Sequence, residues 1–197
     1  ISTAAVWAFV PRLVSAFDEG LHRHWTARAR ADLNSVADLE QAGKLDRAVE
    51  RLDGLIEALD GVQHGDLLDP SYRDALQERV RLLQLLERHD DAVAAAREAC
   101  AYDEKDLDNR LSLGTLLVQR EETAVEGEAV LTELFALVPE WPPAAEALAS
   151  YLVEQRRDDE AVDVALRFVR HVRSVQLRNW ALRWNDGGGF REEHTLR

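Results

Sequence analysis

Apolar residues in this chain recur three and four positions apart in short runs, and polar, turn-forming stretches separate the runs. Such spacing gathers apolar side chains on one face of a helix. Alternating β-branched runs are nearly absent, so strands are not expected. Toward the C-terminal end, Pro142 and Pro143 open a helix, as proline does in a first helical turn. Ala145, Leu148, Ala149 and Leu152 carry its apolar face to about Gln155. Arg156-Arg157-Asp158-Asp159 reads as a turn, and a second helix from near Glu160 is expected to bury Ala161, Val164, Ala165 and Phe168.

The same layout precedes it twice. Leu111, Gly114, Leu117 and Val118 mark a first helix, with a turn near Arg120–Thr123. Gly127, Val130, Leu131, Leu134 and Leu137 mark the returning helix, which stops at Val138-Pro139 because a residue before proline resists helical geometry. One unit earlier, Pro70-Ser71-Tyr72 opens a helix holding Leu76, Val80, Leu83 and Leu86. Arg88-His89-Asp90-Asp91 turns the chain, and Ala92, Ala95, Ala96 and Ala99 form the return face. A looser first unit holds Leu33, Val36, Ala37 and Leu39, then Gln41-Ala42-Gly43-Lys44, then Ala48, Leu52, Leu55 and Leu59.

Ala92, Gly127 and Ala161 are therefore equivalent, at intervals of 35 and 34 residues. Internal repetition at this period marks stacked helical hairpins, each of which needs a neighbour to bury its apolar face. Ala48 to Ala92 is 44 residues, and the turn formers of Asp60–Asp66 account for the surplus as an enlarged loop. Downstream, Leu177, Trp180, Ala181 and Trp184 fall three and four apart, predicting one more amphipathic helix.

These residues resemble the tetratricopeptide repeat family, whose unit is two antiparallel helices in about 34 residues. Ala149 stands at the small position of a first helix. Ala161 stands at the close crossing of the second helix, with Phe168 at the next shared position. Ala92 and Ala99 repeat that pair, and Gly127 fills the crossing in its own unit, with Leu134 and Phe135 where another small residue is usual. Pro139 falls twelve positions after Gly127, where the family often ends its second helix. The family's Trp and Leu-Gly features are mostly missing, Leu113-Gly114 being the nearest trace.

The resemblance covers about residues 30–171. It implies an all-α, right-handed α-solenoid of about four antiparallel helical hairpins, with an N-terminal helix and a C-terminal capping helix. The organisation expected is an N-terminal helix over 1–29, the repeat array over 30–171, a capping helix over 172–186, and a linker or the start of a downstream region over 187–197.

The family lines a concave groove with its first helices. By register the groove would hold Arg30, Glu40 and Gln41, then Asp74, Gln77, Arg81 and Gln84, then Asn109, Ser112, Gln119 and Arg120, then Glu146, Ser150 and Glu154. A polar lining of mixed charge suits an extended peptide. The family's clamp for a C-terminal carboxylate uses several Lys, Asn and Arg residues; here only Arg81, Asn109 and Arg120 approach it, and lysine is absent from the set. Trp180 and Trp184 are either core anchors of the capping helix or aromatic interface residues.

Composition narrows the function further. The net charge is −13, with +1 on residues 1–34, +2 on residues 156–197, and −16 on residues 35–155. An acidic body disfavours nucleic acid and can steer a basic partner. Cys100 is the only cysteine, which removes intrachain disulfides and thiolate metal sites, and its neighbours Ala96, Ala99 and Ala101 suggest a small buried thiol. His22 and His24 point to different helix faces, and His64, His89, His171 and His194 are scattered, so no metal site is expected. Gly187-Gly188-Gly189 lacks the Lys-Ser/Thr of a phosphate loop, and no Gly-x-Ser-x-Gly or Ser-x-x-Lys occurs. Neither catalytic residues nor a cofactor are expected, and the chain reads as a scaffold that binds a protein or peptide, not as an enzyme.

A second reading makes it a regulatory or docking part of a larger enzyme or assembly factor. The chain starts with Ile and lacks methionine, as an excised piece would. Residues 4–10 are apolar but far short of the about 20 residues that span a bilayer, so they are an N-terminal helix segment or the remnant of a membrane anchor. The lone cysteine favours a cytoplasmic setting, with a periplasmic or membrane-tethered one left open.

Overall fold

The computed structural model describes residues 23–60 and 69–185, with the side chains of Asp69 and residues 176–185 outside the description. The described residues form eight α-helices and no strand. Helix α1 covers 23–41. It is followed by α2 (Leu45–Asp60), α3 (Asp69–Leu85), α4 (His89–Tyr102), α5 (Leu107–Leu117), α6 (Ala124–Leu137), α7 (Pro142–Glu154) and α8 (Asp158–Asn185). Two compact units divide the chain, 1–112 and 113–197, with the boundary inside α5.

In the first unit α2 packs on α3 and α3 on α4. Leu52 and Leu55 of α2 and Leu76, Leu82 and Leu83 of α3 are buried, and so are Ala92, Ala95, Ala96 and Ala99 of α4. In the second unit α6 packs on α7 and α7 on α8. Its core gathers Leu131, Leu134, Phe135, Ala144, Leu148, Leu152, Ala161 and Val164. Burial of such side chains contributes about 25 cal/mol per Å² of apolar surface, the main favourable term of folding.

One close approach lies in the second unit, at a pair of glycines. A Cβ on Gly114 would stand 2.7 Å from Leu131 Cδ2. A Cβ on Gly127 would stand 2.7 Å from the Val118 backbone nitrogen and 2.8 Å from Leu117 Cβ. Gly127 meets backbone and is therefore required, while at Gly114, part of the weak family trace Leu113-Gly114, a Cβ would force the Leu131 side chain to shift.

Three hairpin turns share one backbone device. Gly43, Glu87 and Arg156 have φ of 69°, 55° and 58°. At each, the left-handed residue donates its N–H three residues back, and the next residue donates five back: Gly43 to Glu40 and Lys44 to Leu39, Glu87 to Gln84 and Arg88 to Leu83, Arg156 to Val153 and Arg157 to Leu152. This is the Schellman closure of a helix C-terminus. Glycine is the unstrained residue there, so Glu87 and Arg156 hold their conformation at a cost. The α5–α6 turn, residues 118–123, differs: the Thr123 hydroxyl donates to the Leu117 carbonyl at 2.6 Å, closing the helix with a side chain.

An arginine follows the left-handed residue in two of these turns. Arg157 meets Glu160 on its own helix at 2.7 Å and Glu128 of α6 at 2.8 Å. Arg88 meets Asp91 at 2.6 Å and Asp46 of α2 at 3.9 Å. Each arginine thus bridges the start of its helix to the preceding returning helix.

Several expectations need correction. No separate helix covers 172–186, because α8 runs unbroken for 28 residues. Its partner α7 has only 13, so α8 outruns the surface available to it. Ala165 is exposed and Phe168 only half-buried, since the seam follows Ala161 and Val164. Helix α1 crosses the expected boundary at residues 29–30 without a break. The returning helices start at His89 and Asp158, inside the segments read as turns. The enlarged loop at Asp60–Asp66 lies, after Asp60, outside the described residues, as do the apolar residues 4–10 and the segment 187–197.

Two substitutions test the backbone argument. Gly127→Ala gains about 1 kcal/mol of helix propensity but overpacks the crossing, for a net loss of about 1–2 kcal/mol and a lower urea midpoint. Arg156→Gly relieves the left-handed strain, for a gain of about 0.5–1 kcal/mol and a Tm higher by about 2–4 °C in a calorimetric scan.

Candidate functional site

The expected groove residues separate by unit. In the first, Gln77, Val80, Arg81 and Gln84 of α3, Ala96 and Ala99 of α4, and Asp108, Asn109 and Ser112 of α5 line one open cavity of about 240 Å³. The helical period explains the set: Gln77, Arg81 and Gln84 are four and three apart on α3, and Asp108, Asn109 and Ser112 share a face of α5. Five expected positions, Gln77, Arg81, Gln84, Asn109 and Ser112, meet here.

Most of this polarity is already engaged. The Arg81 guanidinium donates to both Glu40 oxygens, at 2.8 and 2.6 Å, and to both Glu78 oxygens, at 2.9 and 2.5 Å. The bonds to Glu78 and then to Glu40 push the Arg81 pKa above its usual value. The bond from Arg81 holds the Glu40 carboxyl below the usual carboxylate range. Asn109 is buried, 3% exposed. Its amide donates to the Ala99 carbonyl at 3.1 Å, its oxygen accepts from Gln77 at 3.1 Å, and its backbone N–H donates to Asp106, which caps α5. Gln77 also donates to Asp106 at 3.2 Å. Asn109 thus ties α5 to α3 and α4 and is no free ligand. Gln84 and Asp108 remain exposed on the lining.

Arg30, Glu40, Gln41 and Asp74 also belong to the first unit but do not line this cavity, and the other expected positions belong to the second unit. Glu146, Ser150 and Glu154 lie four apart along an exposed face of α7. Gln119 and Arg120, assigned to a first-helix face, fall beyond the end of α5 in the turn. The side chains of Trp180 and Trp184 lie outside the described residues, although both positions belong to α8.

Sequence reasoning placed the α3 and α5 faces but missed their cross-links. No local signal pairs Gln77 with Asn109, 32 residues apart. The turn arginines had a readable one, Arg-x-Asp-Asp-Ala at 88–92 matching Arg-x-Asp-Glu-Ala at 157–161.

A second cavity of the first unit, about 220 Å³, lies along α2, α3 and α4. Arg79 crosses it to Asp53 at 3.4 Å and to Glu98. Cys100 is half-buried and burial raises its pKa, so it stays a thiol at neutral pH. His24 stacks edge-on with Trp25, His89 opens α4, and His171 lies within α8, not in a loop; His22, His64 and His194 are outside the described residues. Among the described residues no group of three His, Cys, Asp or Glu is placed to hold a metal ion. No described helix is long and apolar enough to cross a membrane.

Solved structures share this arrangement of hairpins. A crystal structure of MamA aligns at 15% identity with a TM-score of 0.53, covering 85% of this chain and 95% of that one. The MamA RS-1 ArsTM double mutant aligns at 17% identity with a TM-score of 0.55, covering 87% and 95%. The fold is tetratricopeptide-like. A Podosopora anserina structure of nearly identical TPR-like repeats aligns at 16% identity and a TM-score of 0.45. No family model matches the sequence, and no curated protein matches it. A tetratricopeptide-like fold at this identity defines architecture and leaves function to the site.

Two measurements probe the cross-links. Asn109→Leu strips the Ala99 carbonyl and Gln77 of a partner and should destabilise the chain by about 1–3 kcal/mol in urea titration. Glu40 has a depressed folded-state pKa, so its stabilisation is present above the unfolded value and fades as pH falls through the folded one. The difference in Tm between the parent chain and Glu40→Gln should be largest at neutral pH and vanish below the ordinary carboxylate range.

Proposed function

We propose that the first-unit cavity docks an extended, cationic peptide segment of a partner protein. The observation that carries this reading is the state of Arg81. It is the only cationic side chain lining the cavity among the described residues, and two carboxylates already engage it. A peptide carboxylate would have to displace Glu40 or Glu78 to reach it. Asp108 and the Gln84 amide are the exposed polar groups offered to a ligand, beside the small apolar floor of Ala96 and Ala99. A carboxylate and an amide suit Lys or Arg side chains and peptide N–H groups. The acidic middle of the chain, −16 over residues 35–155, favours the same partner at longer range. On this reading the chain is a binding scaffold, and its four hairpins serve recognition in place of catalysis.

Fluorescence anisotropy with capped peptide libraries tests it. Lys/Arg-bearing peptides should bind, acidic ones should not, and affinity should fall with added salt. Asp108→Lys should weaken binding about tenfold while circular dichroism shows the chain still folded. Equal binding of acidic peptides, or indifference to Asp108→Lys, would refute the assignment.

A further inference from the structure

Helix α8 carries an apolar stripe on its described half that stands exposed among the described residues. Val162, Leu166 and Val169 are 56%, 48% and 48% exposed. They are four and three apart, so they share one face, about 140° around the helix from the seam of Ala161 and Val164. Val162 to Val169 spans about 10 Å of helix.

Charge along the same helix is polarised. Asp158, Asp159, Glu160 and Asp163 occupy its first six positions, while Arg167, Arg170 and Arg173 follow with no acid among residues 164–175. At about 100° per residue, Asp159, Asp163 and Arg170 fall on one flank of the stripe, and Arg173 continues its line. All four are exposed. Glu160 is turned to Arg157 and Arg167 lies over the Phe135 ring, so neither belongs to this flank.

We infer that the stripe is a self-association surface, on which α8 of a second copy of this chain docks antiparallel about a two-fold axis near Leu166. The charge pattern selects that occupant. With the axis midway between residues 166 and 167, position 163 faces position 170 of the other copy. Asp163 then meets Arg170 of its mate, and the axis repeats the pair. Asp159 and Arg173 are likewise brought to matching ends of the contact. Leu166 packs beside its own equivalent, and Val162 beside Val169. A parallel pairing would set acid against acid and arginine against arginine, which the same charges oppose. An unrelated partner would not require both halves of one helix to complement each other. The contact is one short stripe, so the dimer is weak and concentration-dependent. The inference does not rest on the peptide-docking reading, since every residue it uses lies on α8.

Sedimentation equilibrium of the full 197-residue chain tests it. At about 100 µM the parent chain should be largely dimeric, and Leu166→Glu should weaken the dimer more than about tenfold. Asp163→Arg alone and Arg170→Asp alone each place like charges across the axis, so each should be monomeric. Mixed in equal amounts, the two variants should re-form a dimer, because each supplies the charge the other now needs. Both substitutions are at exposed positions, and unchanged helical circular dichroism would confirm that the chain stays folded. A monomeric parent chain, a dimer indifferent to Leu166→Glu, or no association on mixing would overturn the proposal. So would a monomer that instead co-sediments with phosphatidylglycerol vesicles through this stripe, which would make the face a lipid-binding one.

Discussion

How near two antiparallel helices can approach governs this molecule. In the second unit the limit is reached where Gly127 faces Leu117 and Val118, at distances that exclude a single methyl group, and where Gly114 faces Leu131, whose side chain a methyl group would displace. Elsewhere alanine plays the same part, with Ala92, Ala95, Ala96 and Ala99 all buried along α4 and Ala161 buried on α8. Large side chains such as Leu76, Leu83 and Phe135 are buried in the same units as these small residues. Apolar burial is then shared between neighbours, because no hairpin has enough surface of its own.

Turn chemistry keeps the hairpins aligned once the crossings allow contact. Gly43, Glu87 and Arg156 close their helices with the same pair of backbone hydrogen bonds, although only one of them is glycine. Strain at the other two is tolerated because the neighbouring arginine ties the turn to acids on two helices. The guanidinium of Arg157 spans Glu160 and Glu128, and that of Arg88 spans Asp91 and Asp46. These groups are largely solvated, so their role is to register one helix against the next more than to supply stability.

The two proposals draw on different uses of charge. Around the first-unit cavity, Arg81 is neutralised by Glu40 and Glu78, which leaves Asp108 to set the sign of the surface. On α8 the acids and arginines are segregated along one helix, which makes its exposed stripe complementary to itself. On these two proposals, one arrangement would select a basic ligand and the other an identical copy.

Helix content, the 34- and 35-residue spacing and the small residues at the crossings were all legible in the chain. They are local properties: periodicity follows from 3.6 residues per turn, and a close crossing needs a residue without bulk. For the same reason Gln77, Arg81, Gln84, Asn109 and Ser112 could be assigned to common faces before any contact was known. Tertiary structure alone decided what those faces do. It turned Asn109 from a ligand into a buried tie between α3, α4 and α5, and it matched Arg81 with Glu40, 41 residues away. It also merged the expected capping helix into α8, since no breaker interrupts residues 158–185 and periodicity cannot say where a neighbour's surface ends. Pairings across tens of residues depend on how far each helix reaches and which acid lies within range, and those distances exist only once the hairpins have packed.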